Sequence, residues 1–563
     1  MAPLVVNVTG GWNGHLDRRQ FLLASLGGAA ALALGSCSGA TSSQGAGRSV
    51  HLPQGATGFP SPFASNGDFG YSQTSLVYDS LVWKDGSGQL LPWLARSFTA
   101  STDHLTYTFE LRDNLKWSDG QPLTADDVVF TFDYYAKQQT LPPPVIIQPP
   151  QGIAKVRAIG AQTVEITLTS PLVTFAEQVA GALPIIPRHV WSSIKDPASA
   201  QDVKLLIGSG AYRVQSYSGD GGPLLLVARN DYYLGPPFVK RIEQRAIDDQ
   251  FSALLSGAAD VATGVGVRTD TLAPFDSNSS FGKITDVGSS TNAMYWNLGK
   301  EGALADVRFR RAMLMAIDRQ DLVTRIAAGR GRPGNPGFLS PNNPFFAPVP
   351  QYDFDVAGAN SLLDAAGYRT PGGGGTRRDP KGIALSFEMI IDNAQAPLAE
   401  ILVGQLKRIG VELRPKEVQI GPQLFGNKLT GSYDIAVLPF PGPGPGGPNA
   451  DPDILRQLFS SKLSPSLLAA TAYANPAFDD LADKQLVTFD DAGRKSMIAQ
   501  MQMILAQDLA VVPLYYPETD RLYRKSVLDQ WYFTPGQFPA LLDNKQLFIT
   551  GSKTGTTIRA ANG

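Results

Sequence analysis

Residues 94–134 read LARSFTASTDHLTYTFELRDNLKWSDGQPLTADDVVFTFDY, and this stretch decides the fold. Within it Leu105, Tyr107, Phe109 and Leu111 alternate with Thr106, Thr108 and Glu110, the period-2 pattern of a half-buried strand. Ser118-Asp119-Gly120 is turn chemistry. Thr124 followed three residues later by Asp127 predicts a capped helix start, with Val128, Val129 and Phe132 leading inward. Strand, turn and capped helix in close succession define a mixed α/β unit rather than a helical bundle or a β-sandwich.

The pattern extends outward. VEITLTS (164–170) alternates as a second strand, and PLLLVARNDYYLGPP (223–237) leaves a strand into a turn. Residues 306–327 predict one amphipathic helix, with Phe309, Met313, Ala316 and Ile317 on its apolar face and Arg308, Arg311 and Arg319 largely off it. ALSFEMIID followed by AEILVGQLKRIGVELRPKEV reads strand, helix, strand, a βαβ unit. YDIAVLPF, RKSMIAQMQMILAQDL and AVVPLYYP repeat the theme near the C-terminus. Ligands in open α/β sheets sit outside the carboxyl ends of strands, which marks the loops after Phe440 and Tyr516.

At 563 residues the chain exceeds what one hydrophobic core supports, so two or three domains are expected. Its net charge of −2 gives no electrostatic footprint for nucleic acid. A single cysteine cannot form an internal disulfide. That residue, Cys37, ends the run DRRQFLLASLGGAAALALGSC, whose apolar part is too short to span a bilayer but suits a signal peptide. Arg18, Arg19, Phe21 and Leu22 resemble the twin-arginine export motif, and Leu34-Gly35-Ser36-Cys37 resembles a bacterial lipobox. Residues 1–36 are accordingly an expected signal peptide, Cys37 an expected lipidation site, and residues 37–47 a flexible tether.

A search for chemistry returns little. There is no G-x-S-x-G, H-E-x-x-H, phosphate loop or G-x-G-x-x-G after a strand. His15 lies in the signal, and His51, His104 and His189 have no second ligand at metal spacing, so no metal site or cofactor is expected. Asp126-Asp127 and Asp248-Asp249 read as caps and turns. A secreted hydrolase therefore remains only as a remote alternative, and binding rather than catalysis is the expected role.

Taken together and in order, the Tyr-Thr-Phe-x-Leu-Arg strand, the Lys-Trp-Ser-Asp-Gly-x-Pro turn and the Thr-Ala-Asp-Asp-Val-Val-Phe helix start resemble the extracellular solute-binding proteins of family 5. GSGAYRVQSY (208–217), ADVRFRRAMLMAIDRQDLV (305–323), AGANSLLDAAGY (357–368), QLKRIGVEL (405–413) and AQDLAVVPLYYPETDRLYRKSV (506–527) continue the likeness, which covers about residues 50–545. The resemblance implies an α/β, two-lobed fold of the periplasmic-binding-protein type II (cluster C) with an extra third domain. Domain I would comprise residues 48–80, 205–288 and 522–563, domain II residues 81–204, and domain III, the second lobe, residues 289–521. It also implies a monomeric receptor, anchored by lipid to the outer face of the bacterial cytoplasmic membrane, that delivers peptides to the permease and ATPase subunits of an ABC importer.

Peptide binders of this family carry Gly-Trp-x-x-Asp-x-x-Asp-Pro, whose first Asp pairs with the ligand's α-amino group. Here the region reads VLPFPGPGPGGPNADPDILRQLF (437–459): Phe440 stands near the Trp, Asp451-Pro452 keeps the Asp-Pro, and Pro448 or Asn449 takes the place of the amine-binding Asp. A buried ammonium without a carboxylate is costly, so an oligosaccharide is the alternative ligand, with Asp451 or Asp453 as substitutes if the ligand is a peptide. Candidate ligand contacts are Tyr71, Tyr295, Trp296, Asn297, Phe440, Asn449, Asp451 and Tyr516, with core packing the competing role for the aromatics.

Overall fold

A computed structural model describes residues 48–138, 150–287, 290–372, 374–418, 433–441, 451–463, 472–532 and 544–554. The expected signal peptide, with Arg18, Arg19, Phe21, Leu22 and Cys37, lies outside these residues, as does Asn449. Among the described residues no helix is long and apolar enough to cross a membrane.

The strands, in chain order, are β1 (Ser49–Leu52), β2 (Val82–Lys84), β3 (Leu90–Pro92), β4 (Ala95–Ala100), β5 (Thr106–Leu111), β6 (Ile153–Ala158), β7 (Thr163–Leu168), β8 (Tyr212–Tyr217) and β9 (Leu224–Ala228). They continue as β10 (Arg241–Gln244), β11 (Val261–Val265), β12 (Phe281–Val287), β13 (Ser290–Trp296), β14 (Gly331–Pro333), β15 (Ser386–Asp392), β16 (Glu412–Val418), β17 (Ile435–Pro441) and β18 (Val511–Arg524). One four-stranded sheet has the order β1-β10-β9-β8 and another β4-β5-β7-β6. The largest sheet runs β11-β18-β13-β17-β15-β16, with β12 and β14 also on β18.

The opening stretch folds as its pattern dictates. Tyr107, Phe109 and Leu111 of β5 are buried while Thr106, Thr108 and Glu110 are half-exposed. The Thr124 N–H donates to Asp127 Oδ2 at 3.0 Å, opening helix Ala125–Lys137, which buries Val128 and Phe132. Residues 306–327 depart from expectation: they form two helices, Val307–Ala316 and Arg319–Ile326. Ile317 is extended and the Asp318 carboxylate accepts from the Asp321 N–H at 2.9 Å, so a local N-cap stops one helix and starts the next. Arg319, expected off the apolar face, is buried, and its guanidinium donates to the carbonyls of Gly334 and Tyr352.

Two sets of apolar cores divide the molecule. One collects side chains from Val50 to Phe281 and from Leu522 to Ile549; the other collects side chains from Ala293 to Tyr515. The changeovers fall on the passage from β12 to β13 and inside β18. Fourteen residues long, β18 pairs with β13 and β14 through Val511–Pro517 and with β11 and β12 through Glu518–Arg524. It is one continuous strand shared by two lobes.

Candidate functional site

In the second lobe β15 runs parallel to both β16 and β17. Helix Ala396–Lys407 carries the chain from β15 to β16 on one side, and β17 lies on the other. The sheet order therefore reverses between β15 and β17, and the crevice beyond their carboxyl ends is where such sheets bind ligands. Antiparallel to β17, β13 brings its first residues to the same end, next to Tyr515 of β18.

Among the described residues, the side chains gathered there are amides, a phenol and the buried Asp392 carboxylate at the end of β15, which accepts from the Ala394 N–H at 2.8 Å. Asn292 Nδ2 donates to the Tyr515 hydroxyl at 2.8 Å, and Gln395 Nε2 donates to Asn292 Oδ1 at 2.5 Å. The Thr291 hydroxyl donates to the Tyr515 carbonyl at 2.9 Å. The register shifts between Asn292 and Ala293, a bulge at the point where β13 leaves the linking passage. Gln395 Oε1 is buried without a hydrogen-bond partner. Asn292, Gln395 and Tyr515 were not among the residues picked from sequence; an amide inside TNAMYW and the polar D-N-A-Q after an apolar strand were the available signals.

Most of the sequence-derived contacts lie elsewhere. Tyr71 is buried, with its hydroxyl donating to the Ala182 carbonyl at 3.0 Å. Tyr516 is buried and donates to the Phe338 carbonyl at 2.9 Å. Burial raises the pKa of the Tyr71, Tyr295 and Tyr516 phenols well above the usual tyrosine range. On β13, Met294 and Trp296 feed one core while Ala293 and Tyr295 feed the core on the opposite face, so both aromatics pack inside the lobe. Asn297 Nδ2 donates to the Tyr433 carbonyl at 2.8 Å, tying the end of β13 to the segment leading into β17. The packing role, not the stacking one, fits the four aromatic side chains in this conformation. Phe440 pairs through its backbone with Thr291 at the carboxyl end of β17.

Asp451 is placed where it serves structure. Its two carboxylate oxygens accept from Arg494 Nη1 at 2.8 Å and Arg494 Nη2 at 2.5 Å, and Oδ1 also accepts from the Asp453 N–H at 2.8 Å. Gln485 Oε1 accepts from Arg494, and Gln485 Nε2 donates to Asp453 Oδ1 at 2.6 Å. Asp453 is gripped again by Arg456 through two bonds of 2.7 Å. Each substitute considered for the missing amine partner is already neutralised by an arginine.

The two carboxylates of the interlobe strand, Glu518 and Asp520, are paired as well. Arg330 donates to Glu518 Oε2 at 2.9 and 2.6 Å and to Asp520 Oδ1 at 2.9 Å, and the Thr285 hydroxyl donates to Asp520 Oδ1 at 2.7 Å. Among the described residues no group of three or more His, Cys, Asp or Glu side chains could hold a metal ion. The histidines serve locally: His51 bonds Asp260 at 2.9 Å, His189 bonds Asp119 at 2.9 Å, and His104 stacks on Phe489.

Two α/β lobes joined by paired strands, with a reversal of strand order in the second lobe's sheet, define a two-lobed solute-binding protein. Residues 89–463 match the pattern of the bacterial extracellular solute-binding proteins, family 5 (middle), and the chain belongs to that family. It is 29% identical over 474 residues to protein XP55 of Streptomyces lividans, covering 82% of each chain. It is 25% identical over 515 residues to the oligopeptide-binding protein AppA of Bacillus subtilis, covering 86% of this chain and 91% of AppA. The solved structure of that AppA with a nonapeptide superposes with a TM-score of 0.72 at 22% identity, over 88% of this chain and 98% of that one. The family is one of solute-binding proteins rather than enzymes.

Proposed function

We propose that this chain is the lipid-anchored substrate-binding receptor of an ABC importer, capturing peptides between its lobes and handing them to a membrane permease. The observation that carries this reading is the reversal of strand order between β15 and β17, placed beside β13 and β18, which link the lobes; a crevice outside such strand ends is where these sheets take ligands. A ligand lodged there touches the second lobe next to the pivot, so its binding energy can shift the population toward closure. Backbone amides of an extended peptide suit an edge of neutral amides such as Asn292 and Gln395. AppA, named for oligopeptide binding, supports the ligand class. Residues 48–80, 205–288 and 522–563 would form the first lobe, 289–521 the second and 81–204 the extra domain. Cys37 would carry the anchor on the outer face of the cytoplasmic membrane.

One observation favours a second ligand. The carboxylates of Asp451 and Asp453 are both occupied by arginines, which leaves neither to meet a peptide's ammonium. A neutral oligosaccharide needs no such partner. Native mass spectrometry of protein purified without denaturation separates the two: retained peptides support the receptor as proposed, and neutral sugars alone overturn the peptide assignment. For the anchor, Cys37→Ala is expected to abolish acyl labelling and membrane retention; unchanged retention refutes the lipobox.

A further inference from the structure

Among the described residues, the extra domain meets the second lobe at a seam formed by His104, Val173, Leu486 and Phe489. The His104 and Phe489 rings stack with centroids 3.6 Å apart and planes 7° from parallel. Beside them the Val173 N–H donates to the Leu486 carbonyl at 2.8 Å. His104 lies at the tip of the β4–β5 hairpin, and Val173 follows β7; Leu486 and Phe489 lie at and after the end of helix Pro476–Leu486. We propose that this seam is a closure latch, through which residues 81–204 help hold the two lobes together.

Both sides are stiff enough for the purpose. The hairpin tip is a closed turn: His104 N–H donates to the Ser101 carbonyl at 2.9 Å, while Asp103 Oδ1 accepts from the Ser101 hydroxyl at 2.6 Å and the Leu105 N–H at 3.0 Å. His104 itself has φ of 55°, a left-handed conformation that histidine and asparagine tolerate better than most residues. Opposite it, only Val487 to Asp490 separate helix Pro476–Leu486 from helix Asp491–Asp508, and Asp490 caps the latter by accepting from the Gly493 N–H at 2.6 Å. A rigid turn faces a short, pinned loop.

The partners belong to different cores. Tyr107 and Phe109 of β5 pack in the first set, whereas Phe478, Ala482, Ile498 and Met501 of the two helices pack in the second. Neither side of the seam is part of the strands that link the lobes. Rotation about β12–β13 and β18 therefore displaces one side of the seam relative to the other. A radial gap of about 0.5–1 Å forfeits a quarter to a half of a van der Waals contact, so the stack belongs to one end state of the motion. The cluster of Arg330 with Glu518 and Asp520 of the linking strand stays near the axis and persists through it.

The latch rests on the two-lobed fold and not on the ligand assigned above, so it is tested without ligand. In full chain carrying Cys37→Ser, nitroxide labels on Lys155→Cys and Ser496→Cys report the distance between the extra domain and the second lobe by pulsed electron resonance. The protein is measured after unfolding and refolding to strip retained ligand. His104→Asn keeps the left-handed turn and removes the ring; Phe489→Leu keeps apolar bulk and removes the plane. Each is expected to lower the ratio of short-distance to long-distance populations about fivefold, the scale of an aromatic pair. The double variant should do no more than either single one, because they remove one contact. Unchanged distributions in the single variants, or additive effects in the double, overturn the latch.

Discussion

Replacing Asp451 by Ala separates a structural role from a ligand-binding one. In the folded protein its carboxylate accepts three bonds, two from the Arg494 fork and one from the Asp453 N–H, and both members of the pair are nearly inaccessible to water. Asp451→Ala leaves the Arg494 guanidinium with Gln485 Oε1, at 3.1 and 3.0 Å, and the Phe345 ring, 5.4 Å away. Removing one partner of a buried pair costs about 3–5 kcal/mol, because the other charge is left uncompensated. At roughly 2–4 °C per kcal/mol for a unit of this size, the second lobe should melt about 6–20 °C lower. Urea denaturation should show the midpoint falling with an unchanged slope. Asp451→Leu combined with Arg494→Met should recover part of the loss, since no charge is then left buried. A stability loss below about 1 kcal/mol in Asp451→Ala, accompanied by complete loss of peptide capture, would refute the reasoning and return Asp451 to the ligand.

Two further substitutions probe the second lobe. Burial alone would raise the pKa of Asp306, but hydrogen bonds from the Arg308 side chain, the Arg308 N–H and the Tyr368 hydroxyl outweigh it and hold the carboxyl below its ordinary value. Its stabilising contribution is then full above the unfolded value of about 3.9 and is lost as pH falls through the lower folded value. Asp306→Asn should flatten the fall of stability with acid below about pH 4; identical acid profiles in the two proteins would count against the cause. At Gly334 a Cβ would stand 1.9 Å from the Pro513 carbonyl oxygen, and the Gly334 N–H donates to the Leu514 carbonyl at 3.0 Å. Gly334→Ala should therefore push β14 off β18 and destabilise by about 1–3 kcal/mol; a melting temperature within 1 °C of the parent would show that the strands separate freely.

The 94–134 stretch was legible because each residue's local preference agreed with its final place. Alternation in β5, the Asp119-Gly120 turn and the Thr124/Asp127 start all fold as written. The βαβ unit of β15, helix Ala396–Lys407 and β16 was equally plain. The site was harder for a physical reason. Tyr295 and Trp296 lie on a central strand with a core on each face, so neighbouring aromatics point in opposite directions and both are buried. Aromatic content marks such a strand without saying which rings meet a ligand. Asn292 and Gln395 are separated by 103 positions and meet only once β13 and β15 flank β17. The break at Ile317–Asp318 was hidden because both halves keep a helical period across a two-residue junction.

The distribution of charge along β18 has its own logic. Val511–Tyr515 is apolar and belongs to the second lobe's cores, but Glu518 and Asp520 follow as soon as the strand leaves that lobe. A pivot packed with aliphatic side chains would join the two cores into one, and each rotation would then expose apolar surface at about 25 cal/mol per Å². Arg330 replaces that packing with directional bonds. The turn bearing it is set against β18 by Gly331, where a Cβ would stand 2.4 Å from the Tyr516 carbonyl oxygen. The backbone joins in, with the Glu518 N–H donating to the Arg330 carbonyl at 3.1 Å and the Gly266 N–H donating to the Glu518 carbonyl at 2.7 Å. Bonds from both lobes thus converge on one residue, Glu518, which can act as a hub while the sheets on either side turn. A hub of this kind resists translation and permits rotation, whereas the His104–Phe489 seam, held by ring overlap and one backbone hydrogen bond, is sensitive to both. If the seam is the latch proposed above, capture and release would differ there, while the pivot would stay the same in each.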